Sequence, residues 1–314
     1  RTVIATAIAL LILPGVMMAF AHSLEMLLFW RFVQGLFLPP IFAVSVAYIG
    51  AEWKAREATA VTGTFIAATA VGGFSGRMMT AALAETAGWR TAMLADAAIT
   101  ALGALLVIAL LPREKNFTRG TTLTASLRQM VMHLRNPRLL ATFGVGFGIM
   151  FNFLSAFTYL GFRLVAPPFN LSTATVGAIF ATYLVSIVTA PFTGGLVSRF
   201  GRRNFGLIAL GFWMAGILLT LAPSLPVIVA GLLLITGAGF YVQVCCQSFV
   251  ATHAREGNSS AVGLYVTAFY GGGSFGGLIP GLIWSATGWS GVVTVIVAML
   301  LIMAAFVRFA WRET

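Results

Sequence analysis

The amino-acid sequence predicts an all-α polytopic membrane protein built from two helical bundles. Its 314 residues are 59% hydrophobic, with a mean hydropathy of +0.96, and a water-soluble exterior could not accommodate so much apolar surface. Apolar runs of about 20 residues, the length that crosses about 30 Å of hydrocarbon, recur along the whole chain. Ten-residue segments of alternating hydropathy are absent from the sequence, so helices are the expected spanning elements.

Ten apolar runs are predicted to cross the membrane, four in the first part of the chain and six in the second. Short connections rich in glycine, proline and polar residues separate most of them. The predicted spans are 2–20, 24–50, 58–83, 91–111, 139–163, 172–197, 205–222, 225–250, 259–285 and 291–309.

The distribution of basic residues among the loops predicts the orientation. If residue 1 is cytoplasmic and the runs alternate, 15 of the 19 lysines and arginines fall in cytoplasmic segments. The opposite loops hold only Arg90, with Arg163 near one edge. This bias follows the positive-inside rule and predicts a cytoplasmic C-terminus. The formal charge of +11 is therefore interpreted as a topology signal, and no nucleic-acid partner is expected.

An internal repeat relates the two parts of the chain. A shift of 200 residues superimposes spans one to four on spans seven to ten, and six spans between the copies leave both in the same orientation. Parallel repeats of this kind form two pseudo-twofold-related bundles about an axis along the membrane normal. The coinciding residues are Gly63, Ala68, Gly72, Gly73, Gly76, Gly88 and Trp89 with Gly263, Ala268, Gly272, Gly273, Gly276, Gly288 and Trp289.

The repeat predicts three parts. They are an incomplete N-terminal bundle of four helices (1–111), a cytoplasmic linker (112–138) and a C-terminal six-helix bundle (139–314). Within the linker, residues 122–135 are predicted to form an amphipathic helix on the membrane surface. Segment 139–197 has no counterpart in the first bundle, so a further helical pair of roughly 60 residues is expected ahead of residue 1. The alternative is a natural ten-helix protein.

Several motifs resemble the major facilitator superfamily. GGLVSRFGRR (194–203) is similar to its loop signature G-x-x-x-D-x-x-G-R-R, with Ser198 in place of the acid. Arg31-x-x-Gln34-Gly35 resembles the R-x-x-Q-G signature of proton-coupled members. The stretch AREGNSSAVGLYVTAFYGGGSFGGLIPG (254–281), with TAGWR and TGWS, resembles the drug:proton antiporter branch, and within it the YnfM-like group. The resemblance covers the whole chain.

The resemblance implies a secondary active transporter in a bacterial inner membrane. It would move a small organic solute by alternating access, as a proton-coupled efflux antiporter, with protons and membrane lipid as its other partners and a monomer as the expected state. One alternative is an uptake carrier for a small organic anion. Another is a truncated membrane remnant that does not transport, because four helices leave the first bundle incomplete.

The basic bend between two apolar runs is the candidate cytoplasmic gate. A glycine turn brings two helix ends together, where arginines can bind terminal carbonyls or acids on neighbouring helices. The family spacing of its glycines and arginines favours a gate that opens as the lobes move, and the alternative is a plain positive-inside anchor. The predicted gate residues are Gly194, Ser198, Arg199, Gly201, Arg202 and Arg203.

Charges inside the first-bundle spans are the candidate coupling residues. A charged side chain within a span is costly unless it is paired or hydrated. Arg31, Arg77 and Asp96 all fall in the outer half of the predicted bundle, so Asp96 is expected to neutralise both arginines in part. The resemblance favours a coupling role for Arg31, with Gln34 on the same helical face. The alternative is that these arginines only cap and pack helix ends.

Polar residues at helical spacing in the second bundle are the candidate substrate contacts. Apolar walls with a few polar groups suit amphipathic organic molecules. The same side chains could instead only tie helices together. The predicted substrate-binding residues are Asn152, Tyr159, Gln243, Gln247 and Tyr265.

No resident cofactor, metal or catalytic residue is expected. Cys245 and Cys246 are interpreted as buried hydrophobic residues. The three histidines are far apart in sequence and lack metal-ligand spacing. No nucleophile and base form a recognisable pair, so an enzyme is the weakest interpretation.

Overall fold

The computed structural model describes residues 1–53, 55–114, 123–189, 192–254 and 258–311. Their regular secondary structure is helical throughout. The chain divides into two compact units. Unit 1 comprises Arg1–Gly120 and Thr173–Phe180, and unit 2 comprises Thr121–Ser172 and Ala181–Thr314.

The helices follow the apolar runs closely in most of the chain. Unit 1 contains α1 to α4 and α7, and unit 2 contains α5, α6 and α8 to α12 together with most of a 3₁₀ segment. The bounds are α1 Thr2–Ala19, α2 Leu24–Glu52, α3 Ala55–Ala87, α4 Trp89–Leu110, α5 Leu123–Leu134, α6 Pro137–Val165, α7 Thr173–Ile179, the 3₁₀ segment Phe180–Leu184, α8 Val185–Thr189, α9 Thr193–Phe200, α10 Arg202–Leu219, α11 Leu225–His253 and α12 Asn258–Ala310.

Six helices in the described ranges are long and apolar enough to cross a membrane. They are α1, α2, α4, α6, α11 and α12, and α12 with its 53 residues contains both of the last two predicted spans. The run predicted over 172–197 is divided among α7, the 3₁₀ segment, α8 and the start of α9. This run is rich in β-branched residues, which lower helix propensity. The total of ten crossings stays a prediction.

Unit 1 is built around α1. This helix packs against α2 and α4, and its buried face presents Ile4, Leu11 and Met18. Close approach to α4 is possible because the facing residues are small. A Cβ on Gly15 would lie 3.2 Å from the Cβ of Ala97.

The core of unit 2 is the contact between α6 and α12, the most extensive helix pair in the described structure. Gly272 and Gly276 lie directly against the main chain of α6 at Phe147 and Phe151. The hydroxyl of Ser155 donates to the carbonyl oxygen of Gly276 at 2.9 Å. Glycine lets two backbones approach in this way, and a hydroxyl–carbonyl bond then links them.

The internal repeat has a structural counterpart at two helix boundaries. Gly88, before α4, has a φ of 84°, and Gly288, within α12, has a φ of 62°. Each precedes a tryptophan, Trp89 or Trp289, that begins the next helical stretch. Residues with a side chain rarely adopt this backbone conformation. The positive φ therefore explains why glycine occupies both of these equivalent positions in the repeat.

We expect Gly288→Ala to lower the free energy of unfolding by roughly 1–3 kcal/mol, because the positive φ strains any L side chain. No described atom lies within 4 Å of a Cβ built there, so the cost is conformational and not steric. Gly263→Ala, at an equally open helical position, is the matched control, and thermal unfolding of the purified protein is the measurement. Equal melting temperatures for the two variants would contradict the prediction.

Candidate functional site

The predicted coupling pair Arg31 and Gln34 forms a hydrogen bond in α2. The guanidinium Nη1 donates to Oε1 of Gln34 at 2.9 Å, and Nη2 lies 4.0 Å from Sδ of Met93 in α4. Arg31 is exposed within unit 1, although it lies in a helix apolar enough to span a membrane. The two side chains therefore share one face of α2, as their i, i+3 spacing predicts. Their role in coupling stays a prediction.

Within the described ranges Asp96 forms no ion pair with Arg31 or Arg77. Partial neutralisation of the two arginines by Asp96 therefore stays a prediction. The Arg77 guanidinium instead lies over the ring of Phe180, 4.1 Å from its centroid, which is a cation–π contact. Asp96 is half-buried in α4, three residues after the Met93 that Arg31 approaches. Residues three positions apart are neighbours on a helix surface, so Met93 and Asp96 lie on the same side of α4.

The predicted substrate contacts differ in burial. Asn152, Tyr159 and Tyr265 are buried inside unit 2, whereas Gln243 and Gln247 are half-buried on α11. Tyr159 donates to the carbonyl oxygen of Gly277, so it links α6 to α12. The bond of Tyr159 agrees with a helix-linking role for that residue, and substrate contact stays a prediction for all five.

The amide of Asn152 is incompletely satisfied. Its Nδ2 lies 3.3 Å from Sδ of Met303, a weak acceptor. Its Oδ1 has no hydrogen-bond partner among the described residues, although the side chain is fully buried. Leaving such an oxygen unpaired costs about 1–3 kcal/mol. The position is therefore one where a polar ligand group or a water molecule would be stabilising.

The basic bend is tied to α11 within unit 2. Gly201, with a φ of 76°, separates α9 from α10. The Arg202 guanidinium lies 3.2 Å from the hydroxyl of Ser248 and 3.5 Å from that of Thr252. It also lies 5.5 Å from the centroid of the Phe249 ring. Arg202 therefore anchors the start of α10 to the end of α11.

The other bend residues make local contacts. Ser198 donates to the carbonyl oxygen of Gly195 in its own helix, at 2.9 Å. Arg199 lies over the ring of the adjacent Phe200, and Arg203 is half-buried. Gly194 lies within α9. Arg202 therefore has a helix-linking role in the structure, and both interpretations of the bend, the gate and the positive-inside anchor, stay predictions.

Sequence reasoning missed Arg163 as a structural residue. Its guanidinium donates to three carbonyl oxygens at the end of α10, those of Thr220, Leu221 and Ala222. The Trp289 indole N–H donates to the first of these oxygens as well, at 3.1 Å. The internal repeat singled out Trp289 in the sequence. Its hydrogen-bond partner, Thr220, lies 69 positions earlier, and no local sequence pattern connects the two residues.

The family model described as Major Facilitator Superfamily matches residues 1–167 and again 164–314. Curated relatives are named as transporters. The chain is 30% identical to the inner membrane transport protein YnfM of Escherichia coli (strain K12), over 96% of this chain and 73% of the relative. It is also 30% identical to the uncharacterized MFS-type transporter YybF of Bacillus subtilis (strain 168), over 90% of this chain and 70% of the relative.

A comparison of structures agrees at the level of the fold. The crystal structure of the nucleoside transporter NupG (D323A mutant) is similar to this one. The alignment covers 99% of this chain and 83% of the NupG chain. The TM-score is 0.72 and the sequence identity 16%, so this similarity concerns the fold alone. The family model covers both parts of the chain, and the YnfM relative reaches 30% identity over nearly all of it. This multi-pass helical membrane protein therefore belongs to the major facilitator superfamily.

Proposed function

We propose that this protein is a proton-coupled antiporter that exports a small organic solute by alternating access. The observation that carries the proposal is the Arg31–Gln34 pair in α2, a membrane-span candidate. Within the described residues this guanidinium has no carboxylate partner. A cation at such a position is costly, and residues of this kind in spans usually serve transport.

In this mechanism Asp96 is the carboxylate that exchanges the proton, and Arg31 is the charged group on the neighbouring helix. Met93 and Asp96 are three residues apart, so they are neighbours on the surface of α4. Arg31 Nη2 lies 4.0 Å from Sδ of Met93, which places its guanidinium beside this part of α4. Alternating access rearranges the helices, and we expect it to change the surroundings of both side chains.

The substrate class follows from the polar groups of unit 2. Gln243 and Gln247 lie one turn apart on α11 and are half-buried, and Asn152 offers a buried amide oxygen without a partner. A few amides among apolar helices would bind an amphipathic molecule with hydrogen-bonding groups. In the cell the protein would work as a monomer in the bacterial inner membrane, with its C-terminus in the cytoplasm and residues 112–138 as the linker between 1–111 and 139–314.

Proteoliposomes containing this chain and the lumenal pH dye pyranine test the proposal. We expect ethidium flux, under an imposed pH gradient, to be accompanied by proton movement in the opposite direction. Arg31→Gln and Asp96→Asn should each lower the coupled flux about tenfold or more. Arg308→Gln removes an exposed arginine at the end of α12 and should leave the flux unchanged. Ethidium flux without counter-movement of protons would contradict antiport.

Uptake of a small organic anion is the second candidate. Arg77 supports it, because its guanidinium is exposed within unit 1 and has no ion-pair partner in the described ranges. Salicylate is the probe in the same liposomes. Salicylate flux that Arg77→Gln abolishes would favour this candidate, and unchanged salicylate flux in that variant would exclude it. If neither probe moves faster than in empty liposomes, the non-transporting interpretation is favoured.

A further inference from the structure

An open cavity lies in unit 2 where α5 ends, α6 begins and α11 ends. Its volume is about 710 Å³, within the range of small-molecule sites. None of the predicted site residues lines it. The polar side chains in its wall are His133, Arg135, Asn136, Arg138, Thr252 and His253.

The electrostatics of this cavity favour an anion. Unit 2 contains ten arginines and two glutamates, and both glutamates lie outside the described residues. Arg135 and Arg138 form no ion pair within the described ranges. The cavity also contains the N-terminal end of α6, a 29-residue helix. Pro137 has no N–H, and Oδ1 of Asn136 already accepts the N–H groups of Arg138 and Leu139, so the two guanidinium groups would supply the contacts to an anion.

The α6 end is held in a defined geometry. Oδ1 of Asn136 accepts the backbone N–H of Arg138 at 3.0 Å and caps the helix. His133 in α5 is only 4% exposed, and Gln129 of α5 accepts a hydrogen bond from the Ser260 hydroxyl of α12 at 3.2 Å. The cavity wall is thus built from three helices that are fixed to one another within the unit.

The other face of α5 is apolar and exposed. Leu127, Val131 and Leu134 follow one another at helical spacing and are 53%, 51% and 46% exposed. The neighbouring helix α6 is a membrane-span candidate that begins only three residues after α5 ends. An amphipathic helix in this position lies in the membrane interface with its apolar stripe among the acyl chains.

We propose that this cavity binds the phosphate group of an anionic phospholipid, with the acyl chains lying along the α5 stripe. Arg135 and Arg138 would contact the phosphate. The adjoining apolar stripe favours a lipid over a free phosphate ion as the source of the group. The predicted cytoplasmic location agrees, because anionic lipids and basic pockets meet at that surface. The inference does not depend on the transport proposal.

Native mass spectrometry of the detergent-purified protein tests this binding with phosphatidylglycerol and, for comparison, phosphatidylcholine. We expect phosphatidylglycerol to bind more tightly, and the double variant Arg135→Gln/Arg138→Gln to lose roughly 25-fold in affinity for it. The matched control is Arg199→Gln/Arg308→Gln, which removes two exposed arginines of the same unit outside the cavity. It should bind phosphatidylglycerol as the unmodified chain does.

Two further arms make the result decisive. Arg135→Lys/Arg138→Lys keeps the charge and should retain most of the binding, which separates lost charge from lost folding. Inorganic phosphate is added as a competitor to identify the source of the anion. Displacement of phosphatidylglycerol by low-millimolar phosphate would overturn the lipid assignment in favour of a free-anion site. Equal phosphatidylglycerol binding by the unmodified chain and the Arg135/Arg138 glutamine variant would overturn the cavity as a phosphate site.

Discussion

Gly272→Ala is expected to lower the free energy of unfolding by about 3 kcal/mol and the melting temperature by roughly 5 °C. A methyl group there would collide with the carbonyl group of Phe147 on α6. A flexible side chain could move aside, but the backbone of a packed spanning helix cannot. The measurement is thermal unfolding of the purified protein, followed by the fraction that remains monodisperse on size-exclusion chromatography.

The internal repeat supplies a matched control for this prediction. Gly72 is the equivalent position in α3, and no described atom lies within 4 Å of a Cβ built on it. Gly72→Ala should therefore be neutral or slightly stabilising, because alanine is the better helix former. A loss as large as that of Gly272→Ala would show that the α3 face is packed against another segment. An unchanged melting temperature for Gly272→Ala would contradict the close contact of α6 and α12.

Arg163→Met should destabilise unit 2 by about 2–3 kcal/mol. The substitution removes the donors to three carbonyl oxygens at the end of α10 and leaves the methylene stem in place. The same guanidinium lies 5.5 Å from the centroid of the Phe169 ring, and that cation–π contact is lost too. Thermal unfolding in detergent is again the measurement, with the onset temperature compared across variants.

Two substitutions separate the geometry of Arg163 from its charge. Arg163→Lys keeps the charge, but a single ammonium cannot reproduce the planar fork that reaches several carbonyls, so we expect an intermediate loss. Arg308→Met removes an exposed arginine from the end of α12 and should change the melting temperature little. If Arg163→Lys were as stable as the unmodified protein, charge alone and not the fork would explain the role of this residue.

Local features of the structure were largely predictable from the sequence. The span predicted over 2–20 is α1 (Thr2–Ala19), and the one over 225–250 lies within α11 (Leu225–His253). The surface helix predicted over 122–135 is α5 (Leu123–Leu134). The hydrogen bond between Arg31 and Gln34 also follows from spacing along one helix. Hydropathy and helical periodicity relate residues that are only a few positions apart. A single sequence is therefore enough to predict features that depend on them.

Long-range partners were not predictable in the same way. The sequence suggested an acid as the partner of Arg77, and the structure places an aromatic ring 103 positions later, Phe180, beneath its guanidinium. Asn152 was selected by its polar helical face, and its contact with Met303, 151 positions later, has no counterpart in that local pattern. The break in the run 172–197 was also missed, because its hydropathy is that of a continuous span.

The amino-acid sequence by itself determined that this chain is a helical membrane protein of the major facilitator superfamily with an internal repeat. Those properties depend on hydropathy, glycine positions and short motifs, all of which can be recognised in short segments of the sequence. Only the tertiary structure decided that Arg202 anchors α10 to α11 and that Arg163 caps α10. It also brought Arg135, Arg138 and His253 around one cavity. Such groupings depend on which helix faces meet, and packing sets this through contacts between residues that are distant in sequence.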